Sequence, residues 1–217
     1  MRNMRSQDIA DISGIEFHIV GCGAIGSSVA TQLARLGGNK FYLYDFDKVG
    51  IENVGVSQYI DSDIGKSKVN ALYTHIKQIE CSIEVKPIDS KFKYYEGGKE
   101  GILVLGLDSM AARMEVVENI AEQPEKPAFL IDGRMGAEQY QQYIYNNITV
   151  KKYEKDWYSD EDSDPEPCTR KATSYCSNMS GSFISNSIKN LVMKQPYFKE
   201  IIFNFSTLIL DKKKLVS

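Results

Sequence analysis

Through the first 132 residues, short apolar runs alternate with longer segments whose apolar positions recur at helical spacing. Ile15 to Val20 has the length and composition of a buried strand. Gly23 to Leu36 follows with Ile25, Val29, Leu33 and Leu36 on one helical face. Phe41 to Tyr44 repeats the strand signal, and Asp63 to Ile79 predicts a helix with Val69, Leu72 and Ile76 on one side. Ile83 to Val85, Ile102 to Leu105 and Ala128 to Ile131 read as further strands, with Met110 to Ala121 as a helix before the last. This alternation predicts an α/β, Rossmann-like sheet, mainly parallel, with helices on both faces.

Beyond Asp132 the pattern changes. Tyr140 to Val150 predicts an extended strand with no helix before it, Ser180 to Met193 a helix, and Ile201 to Leu210 a final strand. The expected result is antiparallel strands added to the parallel sheet. Glu154 to Glu166 carries seven acidic residues and one lysine, which predicts a solvated, mobile loop. A length of 217 residues accommodates one domain, 1–217, divided here into a nucleotide-binding half (1–132) and a partner-binding half (133–217).

Bulk properties narrow the class. A net charge of −3 gives no overall basic character, so nucleic acid is not the expected partner. No apolar run approaches the roughly 20 residues of a membrane helix, and residues 1–7 lack the apolar segment of a secretory signal. Four scattered cysteines (Cys22, Cys81, Cys168, Cys176) do not make a disulfide framework, so the expectation is a reduced, cytoplasmic protein. With no CxxC pair anywhere, no structural zinc is expected.

The first chemistry-bearing motif is Gly21-Cys22-Gly23-Ala24-Ile25-Gly26, placed between a strand and a helix. Glycines there permit a tight turn and close backbone approach, while the helix N-terminus offers free N–H groups to phosphate. Asp45 ends the next strand, where a carboxylate can accept hydrogen bonds from ribose hydroxyls. NAD(P) and ATP both suit this arrangement, so at this point either remains open.

From Gly21 to Lys68 the chain closely resembles the ThiF/MoeB-type adenylyltransferases, the superfamily that includes the ubiquitin-activating enzymes. The matching pieces are the glycine loop, Asp45-Phe46-Asp47-Lys48-Val49, Glu52-Asn53-Val54 with Gln58, and Asp63-Ile64-Gly65-Lys66-Ser67-Lys68-Val69. Asp108-Ser109-Met110-Ala111-Ala112-Arg113, Asp132-Gly133-Arg134-Met135-Gly136 and Pro167-Cys168-Thr169 continue the resemblance in order, across roughly residues 5 to 190. It implies attachment of AMP from ATP to a C-terminal carboxylate of a small protein or peptide, with Mg²⁺ as cofactor and a homodimer as the assembly. It also implies roles. The site comprises Gly21, Gly23, Ala24, Ile25, Gly26, Asp45, Asp47, Asn53, Gln58, Lys68 and Asp108. Lys68 neutralises phosphate charge, Asp45 holds ribose, Asn53 helps position the phosphates, and Asp108 holds Mg²⁺. Arg5 resembles an arginine that reaches a partner subunit's ATP, and Cys168 a thioester cysteine.

One departure stands out. Many relatives carry an arginine three positions after the matching asparagine, where this chain has Val56. The replacement candidates are Arg134 and Arg5. Arg113 reads equally as an intramolecular salt bridge, and His18 and His75 read as structural. Cys168 has Arg170 and Lys171 beside it, which favour a thiolate, and the acidic run before it, which opposes one. Two other functions stay open: an NAD(P)-binding oxidoreductase, which leaves Lys68 and Asp108 without a task, and a catalytically inactive nucleotide-binding module.

Overall fold

The computed structural model describes residues 9–160 and 172–216. Eight strands form one sheet in the order β3-β2-β1-β4-β5-β6-β7-β8. The parallel part is β1 (Glu16–Val20), β2 (Lys40–Tyr44), β3 (Glu84–Ile88), β4 (Ile102–Leu105) and β5 (Phe129–Met135). The antiparallel wing is β6 (Gln139–Asn146), β7 (Tyr197–Asn204) and β8 (Ile209–Val216). The expected fold class is what the structure has.

Strand alternation divides the core between two faces. Phe17 and Ile19 of β1 pack with Ile25, Val29 and Leu33 of α1 (Ala24–Leu36), Val69, Leu72 and Ile76 of α3 (Lys68–Ile79), and Ile184 and Ile188 of α6 (Ser174–Val192). On the other face Val20, Leu103, Leu105 and Leu130 meet Val116, Val117 and Ile120 of α4 (Met110–Ala121) and Tyr153 of the short α5 (Val150–Tyr153). The short α2 (Ile51–Val54) leads into a single 3₁₀ turn, Asp61–Asp63.

Several boundaries differ from the sequence expectations, each for a local reason. The helix expected from Asp63 begins at Lys68, because Gly65 takes a left-handed φ of 84° and the buried Asp63 carboxylate accepts from Ile60 N instead of entering a helix. The strand expected to Val150 stops at Asn146; Asn147 turns at φ 48° and Thr149 caps α5. α6 starts six residues before Ser180, in a serine-rich segment whose helix propensity is ordinary and whose buried face is supplied by Cys176, Ser177 and Ser180. The single strand expected from Ile201 to Leu210 is a hairpin, β7 and β8, turning at Leu208 with φ 55°.

Part of the acidic segment is packed rather than loose: Trp157 Nε1 donates to Met110 O, and Asp160 accepts from Ser109 Oγ, Met110 N and Ala111 N. Residues 161–166 lie outside the described part. No helix among the described residues is long and apolar enough to cross a membrane.

Candidate active site

β2 lies on one side of β1 and β4 on the other, so the chain reverses its winding direction at β1. A crevice opens at such a switch point beyond the strand ends, and the glycine loop leaves β1 there. Gly21 sits at φ 87°, and a Cβ on it would come within 2.8 Å of the Gly106 backbone after β4. A Cβ on Gly26 would lie 1.9 Å from Gly21 O, so that glycine lets α1 pack onto the turn. Gly23 differs: a Cβ there would meet nothing within 4 Å. Packing does not demand glycine at 23, so the free space in front of it is a cradle that a side chain would occupy. No side chain caps α1, which leaves its first-turn N–H groups facing that space. Ala24 and Ile25 provide the first two of these helical residues.

Asp45 braces the loop from β2. Its Oδ2 accepts from Cys22 N at 2.7 Å and its Oδ1 from Asp47 N at 2.9 Å. Burial pushes its carboxyl above the usual range, against those two donors and the Lys68 charge. Lys68 opens α3, with its Nζ 2.8 Å from Asp47 Oδ2 and its side chain 12% exposed. Burial disfavours that ammonium, but the Asp47 bond and the charges of Asp45, Asp47 and Asp108 outweigh it and hold its pKa above the ordinary lysine value. Lys68 is therefore a fixed cation at the crevice. Asp108 follows β4, is exposed, and adds its charge to the same surroundings. The donor set suits a nucleotide: N–H groups and an ammonium for phosphates, and hard carboxylate oxygens for Mg²⁺.

Other expected residues are engaged elsewhere. Asn53 Oδ1 accepts from Gly50 N, capping α2. Gln58 donates to Asn178 Oδ1 on α6 at 2.8 Å. It also borders a hollow of about 310 Å³ between α1 and α3 that includes none of the glycine-loop residues. Arg134 is corrected as a replacement for the missing arginine. Its side chain is 4% exposed, its Nε donates to Asp132 Oδ2 at 2.8 Å, and its guanidinium lies 4.5 Å from the Tyr143 ring centre. Asp132, wholly buried, accepts from Arg113, Arg134 and the Tyr153 hydroxyl. Arg113 is thus the intramolecular salt bridge, and it also donates to Leu107 O, next to Asp108.

Arg5 and Cys168 lie outside the described residues. Cys22 is buried, and burial first, then the Asp45 charge, raises its thiol pKa well above the usual value; burial lifts Cys176 to about 11. Both are inert fillers at neutral pH. His18 is buried and His75 is paired with Asp63, at 2.6 Å, so both are structural. No cluster of three or more His, Cys, Asp or Glu among the described residues makes a ready metal site. Sequence reasoning missed Asp160, whose capping of α4 beside Asp108 joins residues 50 apart with no local pattern to announce it.

The model of the ThiF family matches residues 1–208. The chain belongs to the ThiF family. Among sequence relatives, tRNA threonylcarbamoyladenosine dehydratase 2 of Saccharomyces cerevisiae is 31% identical over 47% of this chain and 22% of its own length. Ubiquitin-like modifier-activating enzyme 5 of Caenorhabditis briggsae is 28% identical over 53% of this chain and 30% of its own. The matches therefore span less than a third of these relatives. Among solved structures, E. coli MccB with ATP aligns over 96% of this ThiF chain and 65% of MccB, at TM-score 0.73 and 17% identity. PaaA aligns over 94% of this chain and 64% of its own at TM-score 0.72 and 16% identity. At these identities the likeness is one of fold.

Proposed function

We propose that this ThiF-family chain uses ATP to adenylate the C-terminal carboxylate of a small protein or peptide. A carboxylate oxygen of the substrate forms a bond to the α-phosphorus, the bond from that phosphorus to the bridging oxygen breaks, and pyrophosphate leaves. The observation that carries the reading is Lys68, a buried-stem cation fixed by Asp47 at the mouth of an uncapped glycine-loop helix. Attack of one anion on another needs such fixed positive charge. A nicotinamide oxidoreductase has no task for it. Asp45 would hold the ribose, the α1 first turn and Lys68 the phosphates, the Asn53 amide nitrogen a further phosphate oxygen, and Asp108 Mg²⁺. The metal would supply charge neutralisation on the phosphates.

The names of relatives and neighbours support this substrate class. The worm relative is a ubiquitin-like modifier-activating enzyme, and MccB has been solved with ATP and, separately, with AMPCPP and MccA. In our reading residues 1–132 bind nucleotide, residues 133–217 meet the partner, and two copies form a homodimer in which Arg5 completes the neighbour's site. Cys168 is the acceptor if a thioester step follows. A second reading, a nucleotide-binding chain without turnover, is favoured by Val56 together with the sealed Arg134.

Isothermal titration of ATP with Mg²⁺, in parallel with NADH, into wild type and Asp45→Ala tests the site. ATP binding that the variant loses supports it, and preference for NADH overturns it. ATP–pyrophosphate exchange, stimulated by peptides with free C-termini and abolished by Lys68→Met, then separates the enzyme from the inactive chain. The yeast relative's name makes tRNA the comparison substrate.

A further inference from the structure

Between β6, β7, β8 and the segment after α5, a hollow of about 230 Å³ opens on the antiparallel wing. Lys152, Lys155, Lys199 and Lys214 line it, around Tyr143 and Tyr145. Four lysines in one wall repel one another, so their grouping is informative where nearby acids do not balance it. Two acids share the wall: Glu200 is paired with Lys213 at 2.7 Å, while Asp156, whose Oδ2 accepts from the neutral Tyr145 hydroxyl at 3.0 Å, keeps its charge, so the lysines stay in excess. Lys152 donates to the carbonyls of Asn146 and Asn147. The ammonium groups of Lys155, Lys199 and Lys214 form no ion pair or hydrogen bond among the described residues. Lys214 also holds φ 58°, a conformation lysine seldom adopts, in the strand at the sheet's edge.

The geometry points to this hollow as the dock for an acidic segment of the polypeptide whose C-terminus is activated. The inference rests on the adenylation reading, because only a polypeptide substrate gives the dock a catalytic purpose. Continuity with the site supports it. Lys155 and Asp156 line the hollow, Asp156 O accepts from Arg134, Trp157 donates to Met110 O, and Asp160 caps α4 two residues from Asp108. A chain laid along residues 155–160 runs from the lysines toward Asp108. Polypeptide is favoured over nucleic acid by the strand at the sheet's edge. β8, the edge strand, presents an outer row of backbone groups suited to strand addition.

Fluorescence anisotropy without ATP tests the dock, using a labelled oligoglutamate peptide ending in Gly-Gly, a matched oligoserine peptide, and bulk tRNA as competitor. Wild type is expected to prefer the acidic peptide, with affinity falling as salt rises. The K155A/K199A/K214A variant is expected to bind it about tenfold more weakly, three exposed pairs contributing a little each. K199E/K214E is expected to prefer oligolysine, a gain that misfolding cannot produce. Lys68→Met, which disables the proposed chemistry, should dock the peptide as wild type does, so the dock and the adenylation reading fail separately. Equal binding by wild type and the triple variant, no preference for the acidic peptide, or displacement by tRNA at lower concentration than by peptide would each overturn the proposal.

Discussion

Arg113 of α4 and Asp132 of β5 form a buried ion pair, their side chains 4% and 0% exposed, and the same guanidinium donates to the carbonyls of Leu107 and Gly133. One arginine therefore ties α4 to β5 and to the turn that presents Asp108. Removing its partner strands charge in the core. Asp132→Asn leaves both Arg113 and Arg134 without a counter-ion and is expected to cost about 3–5 kcal/mol. Arg113→Met leaves Asp132 paired with Arg134 and is expected to cost less, about 1–3 kcal/mol. Denaturant midpoints rank the two variants, and an equal loss would mean that Arg134 does not share the Asp132 charge.

The glycines of the loop separate folding from binding. Gly26→Ala drives a methyl into Gly21 O and is expected to destabilise by about 1–3 kcal/mol or more. Gly23→Ala meets no protein atom, so its melting behaviour should stay within about 0.5 kcal/mol of wild type. Its methyl would nonetheless stand in the phosphate cradle, and ATP affinity is expected to fall about tenfold or more, at least about 1.4 kcal/mol. Thermal melts and titration on the same samples check both halves. Unchanged ATP affinity in Gly23→Ala would place the phosphates elsewhere.

Trp157 is the chain's one tryptophan, so its fluorescence reports on one place. Its indole donates to Met110 O, in the helix turn that Asp160 caps beside Asp108. Asp160→Ala removes the acceptor of Met110 N, Ala111 N and Ser109 Oγ, and is expected to shift Trp157 emission to the red as the segment loosens. Mg²⁺-ATP, binding next to Asp108, is expected to change the emission of wild type and to change that of Asp108→Asn much less. Emission indifferent to both ligand and substitution would detach this segment from the site.

How much of this was legible beforehand follows from the range of the interactions. The parallel sheet and its helices rest on local periodicity, and Gly21, Asp45 and Lys68 belong to short motifs with fixed spacing, so the sequence carried them. Asp63 misled the helix boundary because its carboxylate caps Ile60 N, which periodicity does not register. The fate of Arg134 depended on Asp132 and a set of tyrosines. Nothing in its own neighbourhood distinguishes a buried, paired arginine from one aimed at phosphate. Asp160 read as one member of an acidic run, and only the folded chain brings it to α4.

His18 gives the fold a pH dependence whose sign can be worked out. Its ring is buried, stacked 4.3 Å from Tyr42, with Nδ1 3.1 Å from the Tyr44 hydroxyl and Nε2 without a hydrogen-bond partner among the described residues. Burial depresses its pKa to about 4, although the charges of Glu16 and Glu96 work in the opposite direction. In the unfolded chain the value is about 6.5. As pH falls below 6.5 the unfolded chain takes up a proton that the folded one refuses until about pH 4, so the unfolded state gains ground across that window. Stability is complete above 6.5 and is expected to drop by up to about 3 kcal/mol on the way to 4, at 1.36 kcal/mol per unit. Asp160 and Glu16, whose carboxyls sit below their usual values, lose their contributions mainly at the acid end of that window and below it. His18→Phe keeps the stacking and removes the proton site, so urea midpoints followed from 6.5 to 4 should flatten relative to wild type. Parallel slopes in the two proteins would assign the titration to another group.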